Sequence, residues 1–178
     1  MPSRYGFTNY SPHWPQEFDR VAAQLRTLLG DKLIAVHHIG STSVPGLAAK
    51  PIIDVLPIVK QIERMDLLTP QFQTAGFQIW GEYGLPGRRF FTKDNNGERT
   101  HNVHVYGQGN DHIERHLAFC AYLRRHDAVC REYETLKRKV YAQHPADITA
   151  YNDGKNNWIK SIEPLAVAWY RQQNSTPI

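Results

Sequence analysis

The stretch between residues 38 and 59, HIGSTSVPGLAAKPIIDVLPIV, constrains the fold of this chain more than any other. It overlaps two short apolar runs, at residues 34–39 and 52–59, whose β-branched side chains predict two strands. The Gly-Ser-Thr-Ser sequence at residues 40–43 breaks the first run and predicts a turn. The second run carries one acid, Asp54, which is costly to bury without a partner. We therefore expect Asp54 at a strand end or facing a site.

The Gly-Ser turn is a candidate phosphate site. A turn of this kind after a strand exposes backbone N–H groups and the hydroxyls of Ser41, Thr42 and Ser43, which suit phosphate oxygens. A strand aspartate such as Asp54 can hold a divalent cation that bridges such phosphates. The alternative is a cap, in which Ser and Thr satisfy unpaired N–H groups between a strand and a helix. The residues alone leave both interpretations open.

The remaining sequence alternates helical and strand patterns and predicts one domain over residues 1–178. Apolar residues between Phe18 and Leu29 recur at three- and four-residue spacing, which predicts an amphipathic helix. The Asp-Asn-Asn-Gly turn at residues 94–97 predicts a hairpin. The strands of this hairpin are expected at residues 88–93 and 98–106, and a further strand is expected at 77–80. Helices are expected at residues 61–75, 112–125, 128–143 and 148–172. The ends are expected to be an irregular arm at residues 1–13 and a frayed tail from residue 174.

These elements predict an α/β (α+β) fold. We expect a mixed sheet built from the strands above, with helices packed on it and a helical C-terminal third. Aspartates at two positions are expected to cap helices, Asp111 before the first C-terminal helix and Asp147 before the last. Gly154 and Pro164 lie inside the last helix and predict a kink or a split there.

The strand–turn–strand stretch resembles the GrpB (UPF0157) family, whose members belong to the nucleotidyltransferase superfamily. That superfamily carries a Gly-Ser turn followed by an Asp-x-Asp or Asp-x-Glu strand, and Gly40, Ser41 and Asp54 match this pattern. The resemblance implies a nucleotidyltransferase-like mixed β-sheet, with a nucleotide or another phosphorylated small molecule as partner. It extends over nearly the whole chain, through Trp14-Pro15, Gly87-Arg88-Arg89, Thr100-His101-Asn102-Val103-His104-Val105 and Arg115-His116-Leu117-Ala118-Phe119.

One position departs from the superfamily pattern. Residues i and i+2 of a strand share a face, so the second carboxylate would stand at position 56, where the chain has Leu56. The GrpB family itself varies at this position, so Leu56 does not count against the resemblance. A clamp of two metal ions needs bridging acids, however, and Leu56 argues against ordinary two-metal chemistry.

Histidines are the candidates to complete a metal site around Asp54. His104 could replace the missing carboxylate, which makes Asp54 and His104 the predicted catalytic residues, and His38 beside the turn could join them as a ligand. His101 and His104 form a His-x-x-His pair, but a regular strand turns such residues to opposite faces, so one site needs a bulge. The alternative is histidines hydrogen-bonded on a polar sheet face. The predicted cofactor is a divalent ion, Mg²⁺, Mn²⁺ or Zn²⁺, and imidazole ligands favour the transition metals.

Cationic side chains are candidates for binding the substrate. Lys50 is close to the turn and can neutralise a phosphate as a point charge, or it can be an ordinary solvated lysine. Arg88 and Arg89 suit phosphate or carboxylate, but only one of two neighbours in a strand can face a site. Alternatively, they are edge-strand charges that limit aggregation. The predicted substrate-binding residues are Gly40, Ser41, Thr42, Lys50, Arg88 and Arg89.

Composition narrows the classes of function. No apolar run reaches the ~18 residues of a transmembrane helix, and the N-terminal segment lacks the apolar core of a signal peptide, so no membrane partner is expected. Two cysteines, Cys120 and Cys130, are too few for a disulfide framework, which favours a cytoplasmic location. The net charge of +4 permits an anionic ligand but is too small and dispersed to predict nucleic-acid binding.

Two functions from different classes fit these observations. The first is metal-assisted nucleotidyl or phosphoryl transfer, with Gly40 and Ser41 at the phosphates and Asp54 at the metal. The second is a non-catalytic module that binds a nucleotide or similar anion. The resemblance supports an accessory role equally well, because the GrpB domain also occurs joined to dephospho-coenzyme A kinase. A metal-dependent hydrolase that uses His101, His104 and Asp54 is a third, weaker alternative.

Overall fold

The computed structural model describes residues 6–174, which form a five-stranded mixed sheet with helices packed on both faces. The first residues of the predicted arm and nearly all of the predicted frayed tail lie outside the described part. In chain order the elements are α1 (Trp14–Leu29), β1 (Leu33–Ile39), β2 (Ile53–Val59), α2 (Thr69–Thr74), β3 (Gln78–Ile79), β4 (Arg88–Asn95), β5 (Glu98–Gly107), α3 (Asp111–Arg125), α4 (Asp127–Gln143) and α5 (Ile148–Asn174), with short 3₁₀ helices at Gly30–Lys32, Ser41–Ser43 and Ile62–Leu68.

The strand order is β1-β2-β5-β4-β3, and only the central β2–β5 pair is parallel. Strand β1 runs antiparallel to β2, with Ile39 opposite Asp54. On its other side Asp54 pairs with Asn102 of β5. The two predicted apolar strands are therefore neighbours, as expected, because the short turn between them brings the end of one beside the start of the other.

The two faces of the central strand β2 bury different cores. Alternate residues Ile53, Val55 and Val59 pack with apolar side chains of α1, which is why α1 has its apolar stripe. The intervening face carries Asp54 and Leu56, and Leu56 packs with residues of β1, β5 and α3. A strand covered on both faces reads as an almost continuous apolar run, which explains the composition of residues 52–59. Asp54 is the polar exception, on the face that carries α3.

The C-terminal third is helical, as predicted, and α5 runs without a break through Gly154 and Pro164. The glycine serves packing instead of interrupting the helix. A Cβ atom at Gly154 would lie 2.6 Å from Cγ1 of Val140, so glycine allows α5 to approach α4 closely. This approach brings the first turns of α5 toward the start of β2.

Three local predictions differ from the structure. The predicted helix at residues 61–75 is divided into a 3₁₀ helix and α2, because Pro70 starts a new helical turn. The cap of α3 is Asn110 and not Asp111, since Asn110 Oδ1 accepts the N–H of His112 at 3.0 Å. Strand β3 is shorter than expected.

The cap at Asp147 is confirmed by hydrogen bonds from the N–H groups of Thr149 and Ala150, each 3.0 Å. Among the helices of residues 6–174, none combines the length and the apolar character that crossing a membrane requires.

Candidate functional site

A cleft of about 240 Å³ lies beside the start of β2, between the Gly-Ser turn and the first turns of α5. The predicted residues Ser41, Thr42 and Lys50 line it together with Asp54. The strand β5 contributes Asn102, and α5 contributes Tyr151, Asn152 and Lys155. The structure therefore brings together the turn, the strand acid and one of the predicted cations, and it adds a second lysine.

Gly40 allows the turn and the acid to approach each other. Its backbone has φ 70° and ψ −173°, a region that essentially only glycine occupies. A Cβ atom there would lie 2.4 Å from Oδ2 of Asp54, so any side chain would collide with the carboxylate. Ser43 closes the turn, because its hydroxyl donates to the carbonyl of Gly40 at 2.7 Å and its N–H donates to the same oxygen at 3.2 Å. This hydroxyl donates to a carbonyl, whereas the alternative interpretation of the run requires a hydroxyl that accepts from an unpaired N–H group.

Asp54 is held as a charged, partly exposed carboxylate. Its side chain is 27% exposed, and its Oδ1 accepts a hydrogen bond from Asn102 Nδ2 at 2.9 Å. His104 Nε2 lies 3.5 Å from the same oxygen. Burial raises the pKa of Asp54, but His104, Asn102 and the charge of Lys50 outweigh that effect and lower the pKa below its ordinary value. Asp54 therefore remains ionised across the neutral pH range.

His104 is fixed between a cation and an acid. Arg88 Nη1 lies 3.4 Å from His104 Nδ1, and a guanidinium can only donate, so Nδ1 accepts and the proton sits on Nε2, facing Asp54. Arg88 is itself buried, 6% exposed, and donates to the carbonyls of Glu82 and Tyr83. One ring nitrogen of His104 thus contacts Arg88, and the other faces Asp54.

The other predicted histidines lie apart from this pair. His38 Nε2 is 2.9 Å from the hydroxyl of Thr42, and the His38 ring stacks on Phe18, so His38 steadies the turn. Burial lowers the pKa of His38 to about 4, which keeps it neutral. His101 lies on the opposite face of β5 and lines a second cavity of about 560 Å³ beside α1, with Lys93. The strand alternation that separates residues i and i+3 is therefore kept, with no bulge at this point.

The two arginines at the start of β4 point in different directions. Arg88 points to the face of His104, whereas Arg89 forms a bidentate ion pair with Asp66, at 2.6 and 2.8 Å. Neither arginine lines the cleft itself. Only one of the two neighbours faces the site, as the strand geometry requires.

Two lysines face the cleft from different elements. Lys50 Nζ lies 5.0 Å from the centre of the Tyr151 ring and Lys155 Nζ lies 4.3 Å from it, both within range of a cation–π contact. Burial lowers the pKa of Lys155 to about 7, and the charge of Lys50 adds to this effect. Burial also lowers the pKa of Lys50 to about 8, against the attraction of Asp54. The sequence placed Lys155 in the last helix without locating it, although its spacing from Tyr151 puts both residues on one helix face.

The residues around Asp54 do not fit a pair of bridging metals. Leu56 shares the face of Asp54 and is fully buried in an apolar cluster with Ile39, Tyr106 and Cys120, where a second carboxylate has no place. Within residues 6–174 no group of three or more His, Cys, Asp or Glu is arranged to hold a metal ion. A metal on Nε2 of His104 would also have to move the proton to Nδ1, facing Arg88. The predicted divalent ion, with His38, His101 and His104 as ligands, stays a prediction.

The sequence has close relatives of known family. The model of the GrpB protein family matches residues 6–164. The UPF0157 protein YqkA of Bacillus subtilis is 46% identical over 166 residues, which are 93% of this chain but only 48% of that protein. The UPF0157 protein BH1888 of Halalkalibacterium halodurans is 35% identical over 89% of this chain and 80% of its own length. A dephospho-CoA kinase of Mycolicibacterium paratuberculosis is 26% identical over 89% of this chain and 45% of that enzyme.

Solved structures give the same assignment for the fold. The crystal structure of the conserved protein GrpB from Enterococcus faecalis superposes with a TM-score of 0.89 at 44% identity, covering 93% of this chain and 99% of that one. Cid1 in complex with its short product ApU has a TM-score of 0.53 at 12% identity, covering 83% and 48% of the two chains. The GLD-2/RNP-8 complex has a TM-score of 0.57 at 11% identity, covering 92% and 61%. The last two likenesses show a nucleotidyltransferase-like fold, and the matches to GrpB proteins show that the chain belongs to the GrpB family.

Proposed function

We propose that the cleft beside Asp54 binds the phosphate groups of a nucleotide or another phosphorylated small molecule. The observation that carries this proposal is the pair of lysines, Lys50 and Lys155, that face the Gly-Ser turn and flank Tyr151. Ser41 and Thr42 line the same cleft and supply short polar groups beside the lysines. A cleft of this size with two cations and hydroxyl groups suits a phosphate chain better than an apolar ligand.

The charge balance of the cleft supports an anionic ligand. Two ammonium groups are opposed by the single carboxylate of Asp54, which already accepts a hydrogen bond from Asn102. Burial disfavours the charged form of both lysines, as their lowered pKa values of about 7 and about 8 indicate. A bound phosphate would bring further negative charge beside these two ammonium groups, so binding and lysine protonation favour each other.

Nucleotidyl or phosphoryl transfer is the second candidate. It is favoured by the position of the ionised Asp54 at the cleft, on a strand that follows a Gly-Ser turn, in a nucleotidyltransferase-like fold. The apolar surroundings of Leu56 argue against the usual pair of bridging metals. The similarity to part of a dephospho-CoA kinase fits an accessory binding role equally well. Turnover of nucleoside triphosphates with Mg²⁺ or Mn²⁺, compared between wild type and Asp54→Asn, distinguishes transfer from binding alone.

The proposal is tested by isothermal titration with sodium tripolyphosphate, ATP and UTP. The variant Lys155→Met removes the charge but keeps the stem that lies against Tyr151, and it should weaken all three ligands by about 10- to 100-fold. Ser41→Ala should weaken them by a smaller factor. The matched control is Lys160→Met, which removes an exposed lysine of the same helix and should leave the affinities unchanged. No binding to wild type, or equal binding by Lys155→Met and wild type, would overturn the proposal.

A further inference from the structure

Two aromatic rings stand exposed on the sheet face that carries Asp54. Trp80 is 42% exposed and Tyr83 is 61% exposed, and their ring centres are 5.5 Å apart. Trp80 directly follows β3, and Tyr83 lies in the loop that leads into β4. Contiguous exposed apolar surface with a polar rim is a feature of ligand-binding and interaction sites.

A chain of contacts joins these rings to the acid. Asn102 donates to Asp54 through Nδ2, and its Oδ1 accepts from Arg99 Nη1 at 3.3 Å. The guanidinium of Arg99, which also pairs with Asp94, lies 6.0 Å from the centre of the Trp80 ring. The exposed rings are therefore continuous with the cleft, through polar side chains on the same face of the sheet.

Both rings are held in place before any ligand arrives. The indole N–H of Trp80 donates to the hydroxyl of Thr92 at 2.9 Å. Tyr83 has φ 44°, which is unusual for a bulky residue, and its carbonyl accepts from Arg88 Nη2 at 2.6 Å while its ring stacks on Phe90. Backbone strain of this kind costs of order 1–3 kcal/mol and tends to be kept at functional sites. The fold thus maintains an exposed Tyr83 ring at an energetic cost.

We propose that Trp80 and Tyr83 form a stacking platform for the nucleobase of a nucleoside phosphate. This inference rests on the proposed function, since the phosphates of the same ligand would bind between Lys50 and Lys155. Thr92, which holds Trp80, is two strands away from Asp54, across Asn102 in the register. Two strand spacings are roughly 10 Å, a separation that an extended nucleoside triphosphate spans.

A nucleobase fits this surface for physical reasons. Every base has a flat π-face that stacks on an aromatic side chain, and Arg99 beside Trp80 adds a cation to the platform. Stacking does not depend on the base edge, so the platform should accept purines and pyrimidines with little discrimination. The platform therefore makes nucleotides bind more tightly than simple polyphosphates. Nucleoside phosphates are then the class of ligand that the cleft selects.

The test compares nucleotides with a polyphosphate that has no base. Dissociation constants for tripolyphosphate, ATP and UTP are measured by isothermal titration. The preference for a nucleotide is defined as the dissociation constant of tripolyphosphate divided by that of the nucleotide. Wild type should prefer both nucleotides. Trp80→Ala should lower the preference by about 5- to 100-fold and leave tripolyphosphate binding unchanged, which also shows that the variant is folded. Tyr83→Ala should lower it as well, whereas Trp80→Phe should keep most of it.

A control variant and three contrary results complete this test. Leu67→Ala also removes an exposed apolar side chain, 76% exposed, and should not change the preference. Wild type that binds tripolyphosphate as tightly as ATP and UTP would overturn this inference alone. An unchanged preference in both Trp80→Ala and Tyr83→Ala would do the same. Absence of tripolyphosphate binding to wild type would overturn the proposed function and this inference with it.

Discussion

Gly40→Ala tests the close approach between the turn and Asp54. The backbone of Gly40 lies in a region that costs other residues about 1–3 kcal/mol. The new Cβ atom would also lie 2.4 Å from Oδ2 and 3.0 Å from Cγ of Asp54, so the carboxylate must move. Moving it would disturb the hydrogen bond from Asn102, and a bond to a charged group is worth about 1.5–3 kcal/mol. We expect the free energy of unfolding to fall by about 3–5 kcal/mol.

The assay is urea denaturation of wild type, Gly40→Ala and Gly46→Ala. Gly46 is the matched control, because it also has a positive φ of 82° but has no atom within 4 Å of an added Cβ. Its substitution should cost only about 1–2 kcal/mol, the ordinary cost of a left-handed residue. Equal losses for the two variants would refute the argument that Asp54 is in contact with the turn.

A double-mutant cycle separates the collision from the backbone strain. In an Asp54→Ala background the Oδ2 and Cγ atoms are gone, although Cβ stays 3.0 Å from the added methyl group. Gly40→Ala should then cost about 1–2 kcal/mol less than in wild type, since contacting residues couple by such amounts. Additive losses would show that the cost is strain alone.

Three further predictions concern protons and metals. The affinity for tripolyphosphate, measured by displacement with sulfate, should fall as the pH rises from 7 to 9. Lys155 (pKa about 7) and then Lys50 (pKa about 8) lose over this range the protons that the anion requires. Burial lowers the pKa of Lys137 from 10.5 to about 7, so between these pH values the unfolded chain binds more protons than the folded chain. The free energy of unfolding should therefore rise with pH in this range. In urea titrations, Lys137→Met should remove about 2–3 kcal/mol of the rise between pH 7 and 9. Excess EDTA should change tripolyphosphate affinity by less than about twofold, because lysines and not a metal neutralise the ligand; a large loss in titrations with EDTA would restore the predicted metal at Asp54.

Much of the site could be predicted because it is local in the sequence. The strand, turn and strand around Gly40 are contiguous, so their pairing follows from the short turn. Strand alternation correctly predicted that His101 and His104 lie on opposite faces of β5. The family resemblance singled out Asp54, and the structure places it at the cleft.

The remaining parts depend on tertiary packing that no local pattern encodes. Lys155 reaches the cleft only because α5 packs closely on α4, through the contact of Gly154 with Val140. The ion pair that takes Arg89 away from the site joins elements far apart in the chain. Strand alternation allowed one arginine to face the site without telling which. The extent of the domain, residues 1–178, and the cytoplasmic location stay predictions.

A crystal structure of the protein soaked with a non-hydrolysable nucleoside triphosphate tests the central claim most directly. We expect the phosphates between Lys50 and Lys155, beside Ser41 and Thr42, and the base toward Trp80. Density for the phosphates in the second cavity, beside Lys93 and His101, or no density at the Asp54 cleft under saturating ligand, would contradict the account.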